Sequence, residues 1–436
     1  MNNRKPHPKI SSIKSSTLRP MPYPLQLALT TLLFLLSITG TSCQRATKTD
    51  SRAQSPANLQ HALSLVDSIQ VDEKTLMFIN IYADYPSYEP VMAPGEGIAC
   101  VDDAGRFIEV LEVEILEYGR TDLTPLARGI TRFLLYMQRD DGLWYNFIYP
   151  NGRINKTHKN SRAEFSWWAA RGMRGLAAAY NIFRTEETEF ADTLRSRFQL
   201  SARHFTPILK NYPAMKTTPL GLRPDWMPYD APDRIAEYLL SLTKMHQVSP
   251  LDYTAEIRKL KEGILSYQYH WEGSPVDGMF FCWRNVWHNW GNLQPLALLK
   301  AYEVLQDSTC LMAVKHWADH YLRWAIEQQY FWEITVSAND SISVQEFPQI
   351  AYGISSSYRG IRALATLTGD AEHIASAGTL LQWFHGNNRA SRSMYDPATG
   401  RCYDGINSAS ELNLNSGAES TIEALLAMQA SVSWSN

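Results

Sequence analysis

Three acidic side chains lie in short clusters of polar and aromatic residues and are candidates for acid–base chemistry. Asp103 belongs to the run VDDAGR, Asp141 to DDGLWYN and Glu419 to NSGAEST. A pair of carboxyl groups can catalyse a substitution reaction when one of them donates a proton and the other, as a carboxylate, removes one. We therefore predict that these three residues are the catalytic groups.

Aromatic, amide and imidazole side chains accompany these acids, and a further motif, WHNWGN at residues 287–292, precedes another predicted helix. Indole and phenol rings offer flat apolar faces, while amide and imidazole groups can orient a polar ligand through hydrogen bonds. The predicted ligand-binding residues are Trp144, Tyr145, Asn146, Arg171, Asp230, Trp287, His288, Trp290 and Asp404.

Each cluster also has a purely structural interpretation. Asp102 is placed to cap the helix that follows it, and Asp141 precedes a glycine in a typical turn sequence. Glu419 stands three residues after Ser416, as in a capping box. His288 can equally be a hydrogen-bonded residue of the core. The residues alone leave both interpretations open.

The elements that must position these residues are helices. Between residues 122 and 138, apolar side chains recur at the spacing of one helix face. Short and long connections alternate between the helices, so the long loops meet on one rim. The other predicted helices span residues 57–68, 102–118, 164–181, 188–209, 230–246, 251–267, 291–305, 311–328, 349–367, 371–385 and 416–431.

This architecture, together with DDGLWYN, WHNWGN and NSGAEST, resembles the six-hairpin glycosidase-like superfamily, in particular bacterial lipoproteins of that group. The resemblance implies an all-α fold, an (α/α)6 toroid of about six helical hairpins with its long loops on one rim. It implies an active site where those loops meet the N-termini of the inner helices. The reaction stays open, because such toroids also serve lyases and sugar epimerases.

Our first functional hypothesis is an inverting glycoside hydrolase that acts on an oligosaccharide, with Asp141 in one role and Asp103 or Glu419 in the other. The alternatives are a lyase acting on uronic-acid sugars and a surface glycan-binding protein without catalytic activity. The lyase would use His288 or a tyrosine such as Tyr145 as base, with Arg171 or Arg139 neutralising the substrate carboxylate. An epimerase is disfavoured, because we expect such an enzyme in the cytoplasm, whereas the N-terminal residues predict an export signal.

The first 43 residues resemble a bacterial lipoprotein signal peptide. Basic residues precede an apolar stretch at 25–39, and small residues lead to Cys43, which would be acylated; Gly40 replaces the usual leucine. An uncleaved N-terminal anchor is the alternative. We expect an exported protein held to a membrane of the cell envelope by its lipid, with a polar tether at 44–57 and the toroid at 58–436.

Composition narrows the partners. The net charge is −3, from 41 basic and 44 acidic residues, which argues against nucleic acid as a partner. The four other cysteines are far apart without CxxC spacing, so we predict no zinc site, assign no metal ligand and expect no cofactor. Calcium binding by scattered Asp and Asn side chains stays open. The four cysteines either form two disulfides or are buried as small apolar residues. We expect a monomer that binds an oligosaccharide.

Overall fold

The computed structural model describes residues 54–71 and 73–432. The predicted signal peptide, its lipidation residue Cys43 and residues 44–53 of the tether lie outside the described residues. Within the described part of the chain, no helix has the length and apolar character needed to cross a bilayer.

The helices agree closely with the predicted ones. They are α1 (Gln60–Ser64), α2 (Val101–Leu116), α3 (Thr124–Met137), α4 (Trp167–Phe183), α5 (Thr188–Ala202), α6 (Phe205–Ile208), α7 (Pro232–Val248), α8 (Thr254–Leu265), α9 (Gln294–Leu305), α10 (Ser308–Trp317), α11 (Arg323–Glu327), α12 (Ala351–Thr368), α13 (Ala371–Leu381) and α14 (Ala418–Ser431).

Among the described residues, six helices form a closed inner ring. Each packs against the next in the order α2, α4, α7, α9, α12 and α14, and α14 returns to α2. The approach of α2 to α4 depends on glycine, because a Cβ on Gly105 would lie 2.3 Å from the carbonyl oxygen of Arg171. The architecture is therefore the predicted (α/α)6 toroid.

An outer layer surrounds this ring. Helices α3, α5, α8, α10 and α13 each pack against the inner helix that precedes them in the chain. Helix α10 continues into α11 through a π-helical segment, Ala318–Leu322. The outer helices bury one face, as their apolar spacing predicts. In α3 the buried face includes Leu126, Ile130, Phe133, Leu134 and Met137.

The helix predicted over residues 57–68 is only one turn long. The chain then forms an antiparallel hairpin of β1 (Val66–Val71) and β2 (Lys74–Ile79). Alternate residues of β2, Leu76 and Phe78, point into the core, a period of two that a helix cannot satisfy. The hairpin packs against α3.

The long loops contain short strands that the sequence did not indicate. They form small antiparallel sheets along the rim. The strands are β3 (Tyr82–Ala83), β4 (Pro90–Val91), β5 (Ala99–Cys100), β6 (Phe147–Ile148), β7 (Met215–Thr218), β8 (Gly221–Pro224), β9 (Val286–His288), β10 (Glu333–Val336), β11 (Ile342–Gln345), β12 (Gln349–Ile350), β13 (Tyr395–Asp396), β14 (Arg401–Cys402), β15 (Gly405–Ser408) and β16 (Glu411–Asn413).

Among the described residues, the cysteines are free thiols. Cys100, Cys282, Cys310 and Cys402 are all buried. The alternative of two disulfides is therefore wrong, and the alternative of burial as small apolar residues is confirmed.

Candidate functional site

The N-terminal turns of several inner helices line a central cavity of about 530 Å³. A side recess of about 280 Å³ shares four of its lining residues. Those shared residues are Arg171, Trp290, Tyr352 and Glu419. Three of the four were predicted as site residues, and they come from segments far apart in the chain.

Arg106 of α2 holds three carboxylates on one side of the central cavity. Its guanidinium lies 2.7 Å from an oxygen of Asp103, 3.0 Å from Glu419 and 3.2 Å from Glu423. The side chain of Glu419 is 42% exposed, whereas those of Asp103 and Glu423 are buried. Glu419 is thus a carboxylate that is both held by an arginine and open to the cavity.

Asp103 is the buried member of this group. Burial raises its pKa to about 6, although the charge of Arg106 opposes the shift. The thiol of Cys100 donates a hydrogen bond to Asp103 Oδ2 over 3.1 Å. Asp103 therefore lines the central cavity with little exposed surface and holds Arg106 in place.

The structural interpretation expected Asp102 to cap the helix that follows it, and this expectation is wrong. The N-cap position is Cys100. The side-chain oxygen of Asn146, from the following loop, accepts the backbone N–H groups of Val101 and Asp102. Asn146 Nδ2 also donates to Asp102 Oδ2 over 2.9 Å. Asn146, predicted as a ligand contact, is buried and positions Asp102.

A second arginine network lies between α4, α7 and α12. Arg171 donates to Asp102 over 2.9 Å, to Glu237 over 3.1 Å and to the Tyr352 hydroxyl over 3.0 Å. Arg174 pairs with the other oxygen of Glu237. Burial raises the pKa of Glu237, but the two arginines outweigh it and lower the pKa to about 2.

Asp233 and His288 line the side recess. Burial raises the pKa of Asp233 to about 7. Its Oδ2 lies 3.5 Å from His288 Nε2. Burial lowers the pKa of His288 to about 4. Nδ1 of His288 accepts a hydrogen bond from the backbone N–H of Trp290. The neutral ring therefore carries its proton on Nε2, which faces Asp233.

The aromatic wall of the site is Trp290. Its side chain is 49% exposed and it packs edge-on against Trp332, with the ring centroids 4.1 Å apart. Trp167, at the first position of α4, lines the same recess. An exposed indole beside two acidic groups can hold an apolar ring face next to a proton donor.

The structure brings together six of the predicted site residues at these two cavities. They are Asp103, Arg171, His288, Trp290, Asp404 and Glu419. Asp404 accepts hydrogen bonds from the Gly417 N–H and the Ser420 hydroxyl, and so ties its loop to the start of α14.

Trp144 and Trp287 line neither of the two cavities. Both rings are buried in the core, and Trp144 donates its indole N–H to Ser201 over 2.8 Å. Their apolar surface is used in packing, which is the usual use of tryptophan next to a helix.

The remaining predicted residues lie elsewhere on the rim. Asp141 is in an exposed turn, 42% exposed and paired with Arg139, outside the linings of both cavities. Tyr145 packs against Lys156. Asp230 pairs with Lys216 and lines a separate cavity of about 440 Å³.

Sequence reasoning missed Asp233, Arg106 and Tyr352. Asp233 looked like an ordinary first-turn acid after Pro232, and Tyr352 stands in no motif. Arg106 carried a signal, because it stands three residues after Asp103 and thus on the same face of the helix.

No protein-family model and no curated protein sequence matches this chain. Solved structures do. A cellobiose 2-epimerase from Bacillus thermoamylovorans B4167 has a TM-score of 0.62 at 11% identity, over 86% of this chain and 96% of the other. A D-mannose isomerase has a TM-score of 0.56 at 12% identity, over 81% and 91% of the two chains.

A family 76 glycoside hydrolase from a bovine Bacteroides thetaiotaomicron strain also matches, with a TM-score of 0.50 at 12% identity, over 81% of this chain and 72% of the other. Likeness at this level of identity shows the fold alone. The predicted fold class is thus confirmed: the chain is an (α/α)6 toroid.

Proposed function

We propose that this protein is an inverting glycoside hydrolase acting on an oligosaccharide, with Asp233 as general acid and Glu419 as general base. The observation that carries the proposal is the side recess. A buried carboxyl group with a pKa of about 7 and an open, arginine-bound carboxylate line the same space beside an exposed indole.

The acid role requires a carboxyl group that is still protonated near neutral pH. Asp233 meets this requirement because burial raises its pKa to about 7. In the reaction its proton would pass to the leaving oxygen as the glycosidic C–O bond breaks. The Nε2–H of His288 faces the carboxylate that remains and would stabilise it.

The base role requires an ionised carboxylate with access to water. Glu419 is 42% exposed, and Arg106 holds its Oε2 at 3.0 Å. It would take a proton from a water molecule as the water oxygen bonds to the anomeric carbon. Inverting enzymes place the two carboxyl groups about 6.5–9.5 Å apart to leave room for that water.

Two features of the recess favour hydrolysis over a lyase or an isomerase. A lyase needs a cation free to bind a substrate carboxylate, but Arg171 already donates to three protein groups. Both reactions need a base strong enough to remove a proton from carbon, and His288, with its pKa lowered to about 4, is a weak one.

The test is incubation with a panel of neutral and uronic oligosaccharides in isotopically labelled water, with products followed by mass and NMR. We expect one labelled oxygen per cleavage and an inverted anomeric configuration. Asp233→Asn should lower the rate of cleavage by about 10²–10⁴-fold, while Asp141→Asn, a matched change of an exposed acid outside both cavities, should leave it unchanged. An unsaturated product would contradict hydrolysis, and binding without any product would favour a glycan-binding protein.

We also propose that the protein is exported and anchored in the cell envelope by a lipid on Cys43, as a monomer. The signal-like sequence at 1–43 supports the anchor. Cys43→Ala should move the protein from the membrane fraction to the soluble fraction, and light scattering of the detergent-solubilised protein should give the mass of one chain. A membrane fraction unchanged by Cys43→Ala would contradict lipid anchoring.

A further inference from the structure

We propose that His270, Asp277 and His316 bind a divalent transition-metal ion of the zinc class, outside the two cavities of the proposed active site. Each residue offers one ligand atom, and these atoms lie within 4.8 Å of one another. Two of the residues come from the loop after α8, and His316 comes from α10. The sequence prediction of no zinc site rested on cysteine spacing and did not consider this group.

The separation of the ligand atoms fits a shared ion. His316 Nε2 lies 3.2 Å from Asp277 Oδ2. Two ligands about 2.0 Å from a tetrahedral zinc ion are about 3.3 Å apart. Nε2 of His316 is buried and has no hydrogen-bond partner of acceptable geometry. A metal ion would use this nitrogen, which is otherwise left unsatisfied.

Hydrogen bonds around the group hold the ligands in place before any ion binds. Gln268 Nε2 donates to the carbonyl oxygens of Gly278, 3.0 Å away, and Ala313, 2.8 Å away, and so clamps the loop onto α10. Asp277 Oδ1 accepts a hydrogen bond from the backbone N–H of Trp271 over 2.9 Å, which leaves Oδ2 directed to His316. Preorganisation of this kind reduces the entropy cost of binding.

The ligand types suit a transition-metal ion. Two imidazoles and a carboxylate are ligands for zinc rather than for magnesium or calcium.

A third imidazole lies close to this group. The ring of His320, in the π-helical segment, is 4.5 Å from that of His316. π-Helical turns often occur at functional sites. Three protein ligands leave one position of a tetrahedral ion for water. The bound ion would tie the loop after α8 to the outer helix α10 and stabilise that part of the rim.

The experiment uses the full chain, purified without a histidine tag, stripped with a chelator and titrated with Zn²⁺ by calorimetry. We expect one ion per chain and a higher melting temperature with Zn²⁺. Mg²⁺ should give neither effect. Co²⁺ in place of Zn²⁺ should give the visible absorption of a tetrahedral site.

The variants His270→Gln and Asp277→Asn should each weaken Zn²⁺ binding at least tenfold and remove the Zn²⁺-dependent rise in melting temperature. His270 is exposed, so its replacement leaves the core intact. The control is His385→Gln, which replaces an exposed histidine outside this group. Zn²⁺ binding that is equal in the wild type and in both variants, or absent from the wild type, would overturn the proposal. Glycosidase assays test a different set of residues and can fail independently.

Discussion

Two carboxyl groups on α7, Asp233 and Glu237, show how different environments separate similar residues. They stand one helical turn apart and both are buried. Glu237 lies between Arg171 and Arg174 and has a pKa of about 2. Asp233 faces the side recess and a neutral histidine, and its pKa is about 7. Neighbouring charges, rather than burial, decide which of the two can carry a proton at neutral pH.

Replacing the proton donor, Asp233, should have the largest effect on activity. Asp233→Asn should lower kcat/KM on a natural glycoside by about 10²–10⁴-fold, because general acid catalysis contributes that much. Activity should return on an aryl glycoside whose leaving group needs no proton. Glu419→Gln should not be rescued in this way. Steady-state kinetics on both substrates checks the assignment, and equal losses on both for Asp233→Asn would contradict it.

Replacing Glu237 should have the next largest effect, a loss of stability of the fold. Glu237→Gln should destabilise the fold by about 3–5 kcal/mol, because it removes the buried carboxylate that Arg171 and Arg174 share. Urea denaturation measures the change. Asp122→Asn is the control, since the Arg120–Asp122 pair is exposed and contributes little. A Glu237→Gln protein as stable as the control would show that the buried network is not needed for folding.

The two groups should also act at different pH. The pKa of Asp233 is raised on folding, so the folded state binds more protons than the unfolded state between about pH 4 and 7. Its contribution to stability is therefore lost as the pH rises through 7. The pKa of Glu237 is lowered, so its contribution is lost as the pH falls from about 4.5 to 2.

Denaturation across pH should detect this difference. Asp233→Asn should flatten the stability curve between pH 4 and 7 and remove the fall in kcat/KM above about pH 7. Glu237→Gln should instead flatten the acid end of the curve. Unchanged curves in both variants would contradict the assigned pKa values.

Removing the Tyr352 hydroxyl, which contacts Glu237, should have the smallest effect. Tyr352→Phe removes a hydroxyl that donates to Glu237 over 2.9 Å and accepts from Arg171 over 3.0 Å. We expect a loss of stability of about 1–3 kcal/mol, the usual cost of a hydrogen bond to a charged group. The ring, which packs against Arg106 and Arg171, stays in place. A loss as large as that of Glu237→Gln would mean that the hydroxyl, and not the arginines, controls Glu237.

Prediction from sequence worked where a signal is local. The apolar spacing of α3 identified its buried face, and Glu419 was found at the start of a helix facing the cavity. It failed where a non-local contact decides the outcome. The chain after α1 forms a hairpin because Leu76 and Phe78 pack against the core, and Asp141 lies in a surface turn whereas Asp233 lines the recess.

The sequence by itself determined the helices, their alternation of short and long connections and hence the toroid, because hydrophobic periodicity acts within a few turns of chain. Only the tertiary structure decided which acids meet. Closing the ring brings residues more than 300 positions apart, such as Arg106 and Glu419, within 3.0 Å. The same closure buries Asp233, where the charges of Arg234 and Arg171 offset the effect of burial only in part, and so sets the pKa on which the proposed chemistry depends.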